Sequence, residues 1–198
     1  MTWSRIRAAS GADGNGVSLE LPPGWWALPL AATDLDERIA ALVAQQAEGL
    51  PEPVGAELTA EFERMTSTAR TAGAVLLAGG AAAAGDDGRI VVASLLVAPY
   101  EAYRGADRPG WSQGPSARVA LPAGTAVRHT WLGTGASPLG PVRQLDVEYV
   151  IAPPAPPSWV LAFRTPALRH VVMLLAAFDA IAGTMRPEGA AEPAPVFG

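Results

Sequence analysis

The two imidazoles of this chain, His129 and His170, are the first residues to weigh as metal ligands or as the base of a catalytic triad. Each stands beside an arginine, Arg128 or Arg169, and the two lie far apart in the sequence, so no two-histidine metal spacing forms locally. A serine, histidine and aspartate could still meet from distant positions, but no G-x-S-x-G elbow presents a nucleophile. Cysteine is absent, which removes thiolate zinc sites, cysteine nucleophiles and disulfide frameworks. All fourteen cationic residues are arginine, which removes Schiff-base lysines and the phosphate-loop lysine. The run Gly79 to Gly85, GGAAAAG, offers backbone for anion approach, yet it lacks the Lys-Ser/Thr end and runs into Asp86-Asp87. It reads as a hairpin loop. Asp34 with Asp36 reads as helix capping, and Asp86-Asp87 as turn chemistry, so neither pair is taken for a cation site. The expectation is a chain with no catalytic residues, no metal and no cofactor.

Aromatic residues carry more information. Trp25 or Trp26, Tyr149 and Trp159 sit beside turns or strand ends, where an N–H or O–H reaching backbone commonly closes a sheet core. The segment Tyr100 to Gln113, YEAYRGADRPGWSQ, differs in joining aromatic residues to arginines within loop-like sequence. Tyr100, Tyr103, Arg104, Arg108 and Trp111 are therefore the candidate protein-contact residues, of the types enriched where one protein anchors to another.

Several elements are needed to hold such a loop. Val17, Leu19 and Leu21 alternate with polar neighbours as a half-buried strand does, and Pro22-Pro23-Gly24 turns the chain into Trp25–Leu30. A helix opens at Thr33 or Asp34 and ends before Pro51 and Pro53. Leu58, Phe62, Met65, Ala69 and Ala72 mark a second helix closed by Gly73. Strands follow at Ala74–Ala78, Arg89–Tyr100, Arg118–Leu121, Thr125–Leu132, Val142–Ala152 and Trp159–Arg164, with Gly85-Asp86-Asp87-Gly88 turning between the first two. Thr165 as N-cap and Pro166 at the first helical position open a last helix that runs to about Arg186, with apolar stripes wide enough to be covered on more than one side. The order predicts an α+β fold, an antiparallel sheet of about six or seven strands flanked by helices.

Length and charge agree with one domain. The 198 residues fit a single core, and the net charge of −5 argues against nucleic-acid binding, which needs a basic stripe. Residues 1–16 are expected as a flexible arm, 17–186 as the domain, and 187–198 as a flexible Pro/Ala-rich tail. Two arginines near the N-terminus precede no apolar run of signal-peptide length, and the apolar stretch Ala167–Met185 is broken by Arg169, His170 and Asp179, so no membrane span is expected and the location reads as cytoplasmic.

Four stretches carry a resemblance: LPPGWWALPL, DLDERIAALVAQQ, VRQLDVEYVIAPPAPPSWVLAFRTP and LLAAFDAIAGTMR. Between Val17 and Arg186 the chain resembles small proteins of high-GC Gram-positive bacteria that are similar to the Mog1/PsbP-like α/β/α sandwich, and it bears a general likeness to products that accompany type VII secretion. These are fold signatures. The resemblance implies a binding or assembly role, because better-known members of that fold work through protein contacts.

Two functions are carried forward. The first is a non-enzymatic adaptor or assembly factor holding an unidentified protein partner, linked to a bacterial secretion or cell-envelope system. The second is a small-molecule binder or enzyme with an apolar pocket between the sheet and the last helix, anchored by His129 or Asp146. Self-association through the last helix, giving a homodimer, is a third expectation. On the first reading, Trp111→Ala with Arg108→Ala abolishes partner capture while stability changes by less than about 1 kcal/mol, as at exposed positions; a pull-down with the double variant checks it, and unchanged capture rejects this loop.

Overall fold

The computed structural model describes residues 2–10, 15–49, 51–84, 89–104, 114–137, 140–154 and 156–188. In chain order the elements are β1 (Ser4–Ser10), β2 (Asn15–Leu21), β3 (Trp25–Pro29), α1 (Leu35–Gln46), α2 (Glu52–Thr71), β4 (Leu76–Ala84), β5 (Arg89–Pro99), the single turn α3 (Tyr100–Tyr103), β6 (Ser116–Leu121), β7 (Gly124–Ser137), β8 (Gly140–Ala152), β9 (Trp159–Thr165), α4 (Val171–Thr184) and β10 (Arg186–Glu188). The fold is α+β. Seven strands form an antiparallel sheet in the order β3-β4-β5-β9-β8-β7-β6, and β1, β2 and β10 form a second sheet in the order β1-β2-β10.

Each face of the large sheet has its own apolar cluster. On one side Leu145, Val147, Tyr149 and Ile151 of β8 meet Phe178 and Ile181 of α4 and Val17, Leu19 and Leu21 of β2. On the other, Leu28, Leu77, Ala98 and Val160 meet Ile39 and Leu42 of α1 and Phe62 of α2. The central strands must therefore be apolar on both sides, and β9, WVLAFRT, is buried at every position except Arg164.

Several boundaries differ from the sequence reading, each for a physical reason. Ser4–Ser10, assigned to an arm, is a strand in register with β2, and Ala8 and Ile6 pack on the core. Pro187 and Glu188, assigned to the tail, pair with β2 together with Arg186; residues 189–198 lie outside the described residues. Helix α2 begins at Glu52, well before Leu58, because Pro51 occupies the N-cap and Pro53 the first turn, where a missing N–H costs no hydrogen bond. The last helix begins at Val171 instead of Pro166. Thr165 Oγ1 accepts from the Ala167 N–H at 3.1 Å and donates to the Val92 carbonyl at 2.7 Å, which ties this segment to the sheet, and a 3-10 turn at Leu168–His170 precedes the helix.

The glycines read as a loop are in β4. Trp26 and Trp25 of β3 lie opposite Gly79 and Gly80, and their rings occupy the space a Cβ would take, at 2.5 Å from each. An indole laid across a facing glycine restores the buried contact that the glycine lacks. The Gly85–Gly88 turn lies outside the described residues.

One polar cluster seats α4. Asp179 accepts from Arg128 Nη1 at 2.9 and 2.7 Å and from the Tyr149 hydroxyl at 2.6 Å, joining the helix to facing residues of β7 and β8. Burial, then the Asp179 carboxylate, pushes the Tyr149 phenol up, so it remains a donor. Below it, Phe163 stacks on Phe178 with centroids 4.4 Å apart. Trp159, expected to reach backbone, has no hydrogen-bond acceptor for its buried Nε1 among the described residues. Asp179→Ala strands Arg128 and Tyr149 without their acceptor and is expected to destabilise by about 1.5–3 kcal/mol, read as a lower urea midpoint at unchanged m; a loss under about 0.5 kcal/mol rejects the clamp.

Candidate functional site

The sheet registers place most of the candidate polar residues on one face. Trp131 of β7, Asp146 of β8 and Arg164 of β9 form one row across the strands, and His129, Glu148 and Ala162 form the next. This face is the one that α1 and α2 cover elsewhere. Asp146 and Glu148 are 4% and 1% exposed, although carboxylates are rarely buried without partners. Asp146 Oδ1 meets Arg164 Nε at 3.0 Å, and Gln144 Nε2 donates to its two oxygens at 3.0 and 3.2 Å. Gly133 on β7 makes this geometry feasible: a Cβ there would meet Asp146 Oδ2. Among the described residues no three His, Asp or Glu side chains converge as a metal site requires.

The alternative sequence reading placed His129 or Asp146 in a pocket between the sheet and the last helix. That placement is corrected here. Both residues lie on the opposite face from α4, because even-numbered positions of β8 alternate away from Tyr149 and Val147, which face the helix. The sheet-to-helix space holds the Phe163–Phe178 stack and the fully buried Ile181 and Met185.

The contact loop is only partly described. Tyr100 is half-buried against the α1/α2 cluster, and Tyr103 is buried in it, so Tyr103 has little surface to offer a partner. Arg104 is exposed and pairs with Glu101 at 3.0 Å, one turn away. Arg108 and Trp111 lie outside the described residues. The short turn α3 brings Tyr100 and Tyr103 together on β5 and β9 as core, a role that exposure statistics for loops could not separate from recognition.

A different surface emerges at the end of the sheet where β9 stops. Every large exposed apolar residue among those described is there: Val172 at 84%, Leu132 at 56%, Met173 at 48% and Val92 at 44%. Leu132 pairs with Leu145 and Leu145 with Thr165, which leads into α4, so Leu132 is on the α4 face; Val92, in line with Ser94 opposite Arg164, is on the other face. Residues Leu168 to Met173 line an open groove of about 550 Å³. Arg169, in that groove, and Arg143, two residues before Leu145 on the same sheet face, are both exposed and have no ion-pair partner among the described residues. The sequence reading buried Val172 within an α4 covered on more than one side. The structure corrects this: Leu174, Phe178, Ile181 and Met185 face the core, while Val172, Met173, Ala176 and Ala180 face outward.

No family model matches the chain, and no curated protein is similar to it. Among solved structures, LpqN of Mycobacterium tuberculosis, described as involved in cell envelope biogenesis, is similar at 13% identity and a TM-score of 0.40, over 95% of this chain and 92% of that one. No helix among the described residues is long and apolar enough to cross a membrane.

Asp146 yields a pH test. Burial, the largest influence, raises its carboxyl above the ordinary 3.8, and Arg164 and Gln144 offset this only in part. Between 3.8 and the raised value the folded chain holds a proton that the unfolded chain has released, so the stability this residue confers is full below 3.8 and is lost as pH rises through the folded-state value. The stability of the native chain minus that of Asp146→Asn is therefore expected to grow as pH is lowered from neutral toward about 4, measured by urea unfolding across that range. A difference that shrinks on acidification would show the Arg164 pair outweighing burial.

Proposed function

We propose that this protein is a non-enzymatic, protein-binding adaptor or assembly factor whose contact surface is the apolar groove at the start of α4. The observation that supports this reading is the exposure of Val172 and Met173 in a groove that also carries Arg169, at the end of the sheet where Leu132 is exposed as well. Scattered exposed apolar residues are ordinary on a protein surface; a group of them rimmed by charge is what an interface presents before its partner arrives. Arginine and methionine are also among the residue types enriched at such contacts.

Two further parts of the reading come from the sequence. The Mog1/PsbP-like relationship rests on the four quoted stretches, which an α+β fold with helices on both faces of the sheet accommodates, and the link to a secretion or cell-envelope system rests on general likeness alone. Neither part identifies the partner.

The test is co-purification from the native host, with the tagged chain at its natural level compared against a tagged unrelated control. A stoichiometric partner is expected, and Val172→Asp with Met173→Asp is expected to lose it while the urea midpoint stays within about 0.5 kcal/mol of the native chain, as for exposed positions. A partner retained by the double variant would reject this surface. A folded, abundant protein that captures nothing would reject the adaptor reading.

A further inference from the structure

Resting on that reading and deepening it, we propose that the groove at the start of α4 takes an acidic, apolar peptide segment of a partner protein, its apolar side chains against Leu132, Val172 and Met173 and its carboxylates on Arg143 and Arg169. The argument is one of charge. Arg5, Arg7, Arg38, Arg64, Arg104, Arg128 and Arg164 each have a carboxylate partner at 2.5 to 3.0 Å. Among the described residues Arg70 and Arg186 bond backbone carbonyls, and Arg118, Arg143 and Arg169 have no carboxylate partner; of these three, Arg143 and Arg169 stand at the end of the sheet where Leu132, Val172 and Met173 are exposed. Two described carboxylates near this end are already engaged: Asp146 lies behind the sheet on Arg164, and Asp179, about two turns along α4, holds Arg128 and Tyr149. Two arginines without a carboxylate partner among the described residues, in a chain of net charge −5, are complementary to an anionic ligand.

Other occupants fit less well. A second copy docking by a two-fold axis through this patch would set the arginines of one copy against the same cationic patch of the other, an arrangement that costs rather than contributes. A lipid surface is typically met by clusters of about 4–8 basic residues, and here Arg143 and Arg169 stand at this end of the sheet among the described residues. Arginine suits the role because its planar fork binds a carboxylate in two parallel hydrogen bonds.

The experiment pans a displayed library of random short peptides against the purified full chain and measures the binding of synthetic versions of the enriched sequences. The expected peptides combine Asp or Glu with Leu, Ile, Phe or Trp. Their affinity is expected to fall at least about tenfold for Val172→Asp, Arg169→Glu and Arg143→Glu, and to fall again as salt is raised from about 0.1 M to about 1 M, which shortens the screening length from about 10 Å to about 3 Å. Circular dichroism and the urea midpoint confirm that each variant is folded, and Met173→Glu repeats the apolar test if Val172→Asp is not. Enriched peptides that need Val172 but ignore both arginines and salt would overturn the acidic chemistry and leave the adaptor surface standing. Peptides that ignore Val172 as well would overturn both. Two controls identify the other occupants, and either result overturns the proposal: sedimentation with phosphatidylglycerol vesicles that is lost in Val172→Asp assigns a lipid, and a dimer in sedimentation velocity that is lost in the same variant assigns a second copy.

Discussion

Burial of β8 and β9 from both sides constrains everything else in this molecule. A strand with two covered faces has no wet side on which to put polar residues, so each one it keeps must bring a partner with it. In β8 that requirement is met in two directions. Asp146 turns toward the α1/α2 side of the sheet and takes Arg164 and Gln144, while Tyr149 turns toward α4 and takes Asp179. Neighbouring strands adapt to the first of these: Gly133 on β7 leaves room for the Asp146 carboxylate. The same adaptation recurs at the far edge, where Gly79 and Gly80 give way to two indoles. Glycine in this sheet thus marks side chains laid flat across a neighbouring strand, at the cost of conformational freedom each glycine loses on folding.

The seating of α4 decides which of its residues meet solvent. Asp179 fixes the helix over β7 and β8, and the Phe163–Phe178 stack sets its rotation, so Leu174, Ile181 and Met185 turn inward. The opposite face then has no freedom. Val172 and Met173 are directed outward by the same contacts that stabilise the helix, and moving them inward would break the clamp. An exposed apolar surface maintained by the core in this way is a feature of the folded state rather than a fault at its margin, and that is what separates a contact site from an incidental exposed side chain.

Much of the framework was legible in the sequence because two-periodicity and turn chemistry are local. The alternation Val17, Leu19, Leu21 and the prolines and glycines flanking Val142–Ala152 and Trp159–Arg164 mark strands where strands occur. Three things were not legible. Gly79 and Gly80 look like a loop until the facing tryptophans are known, since their reason lies on another strand. Ser4–Ser10 has weak alternation and is held by a partner strand more than by its own pattern. The outward face of α4 was hidden because the helix is apolar nearly all round; a hydrophobic stripe can be located only against a polar one, and VVMLLAAFDAIAGT supplies Asp179 alone as reference. That aspartate does face the border between core and solvent, on Arg128.

The reading of recognition residues failed and succeeded for the same reason. Tyr103 has the composition of a contact residue and is buried, because a tyrosine in a turn following a core strand packs before it is available to bind. Arg169 was weighed as a neighbour of His170 and as a charge interrupting an apolar stretch, yet its significance comes from what surrounds it in space. An arginine acquires meaning from the carboxylates within a screening length, and those are set by strand order, which brings Arg143 to the same end of the sheet from 26 residues earlier in the chain. Charge complementarity is therefore the last property of this site to become visible, after register, burial and helix rotation have each been fixed, and it is the one that specifies a ligand chemistry and not merely a surface.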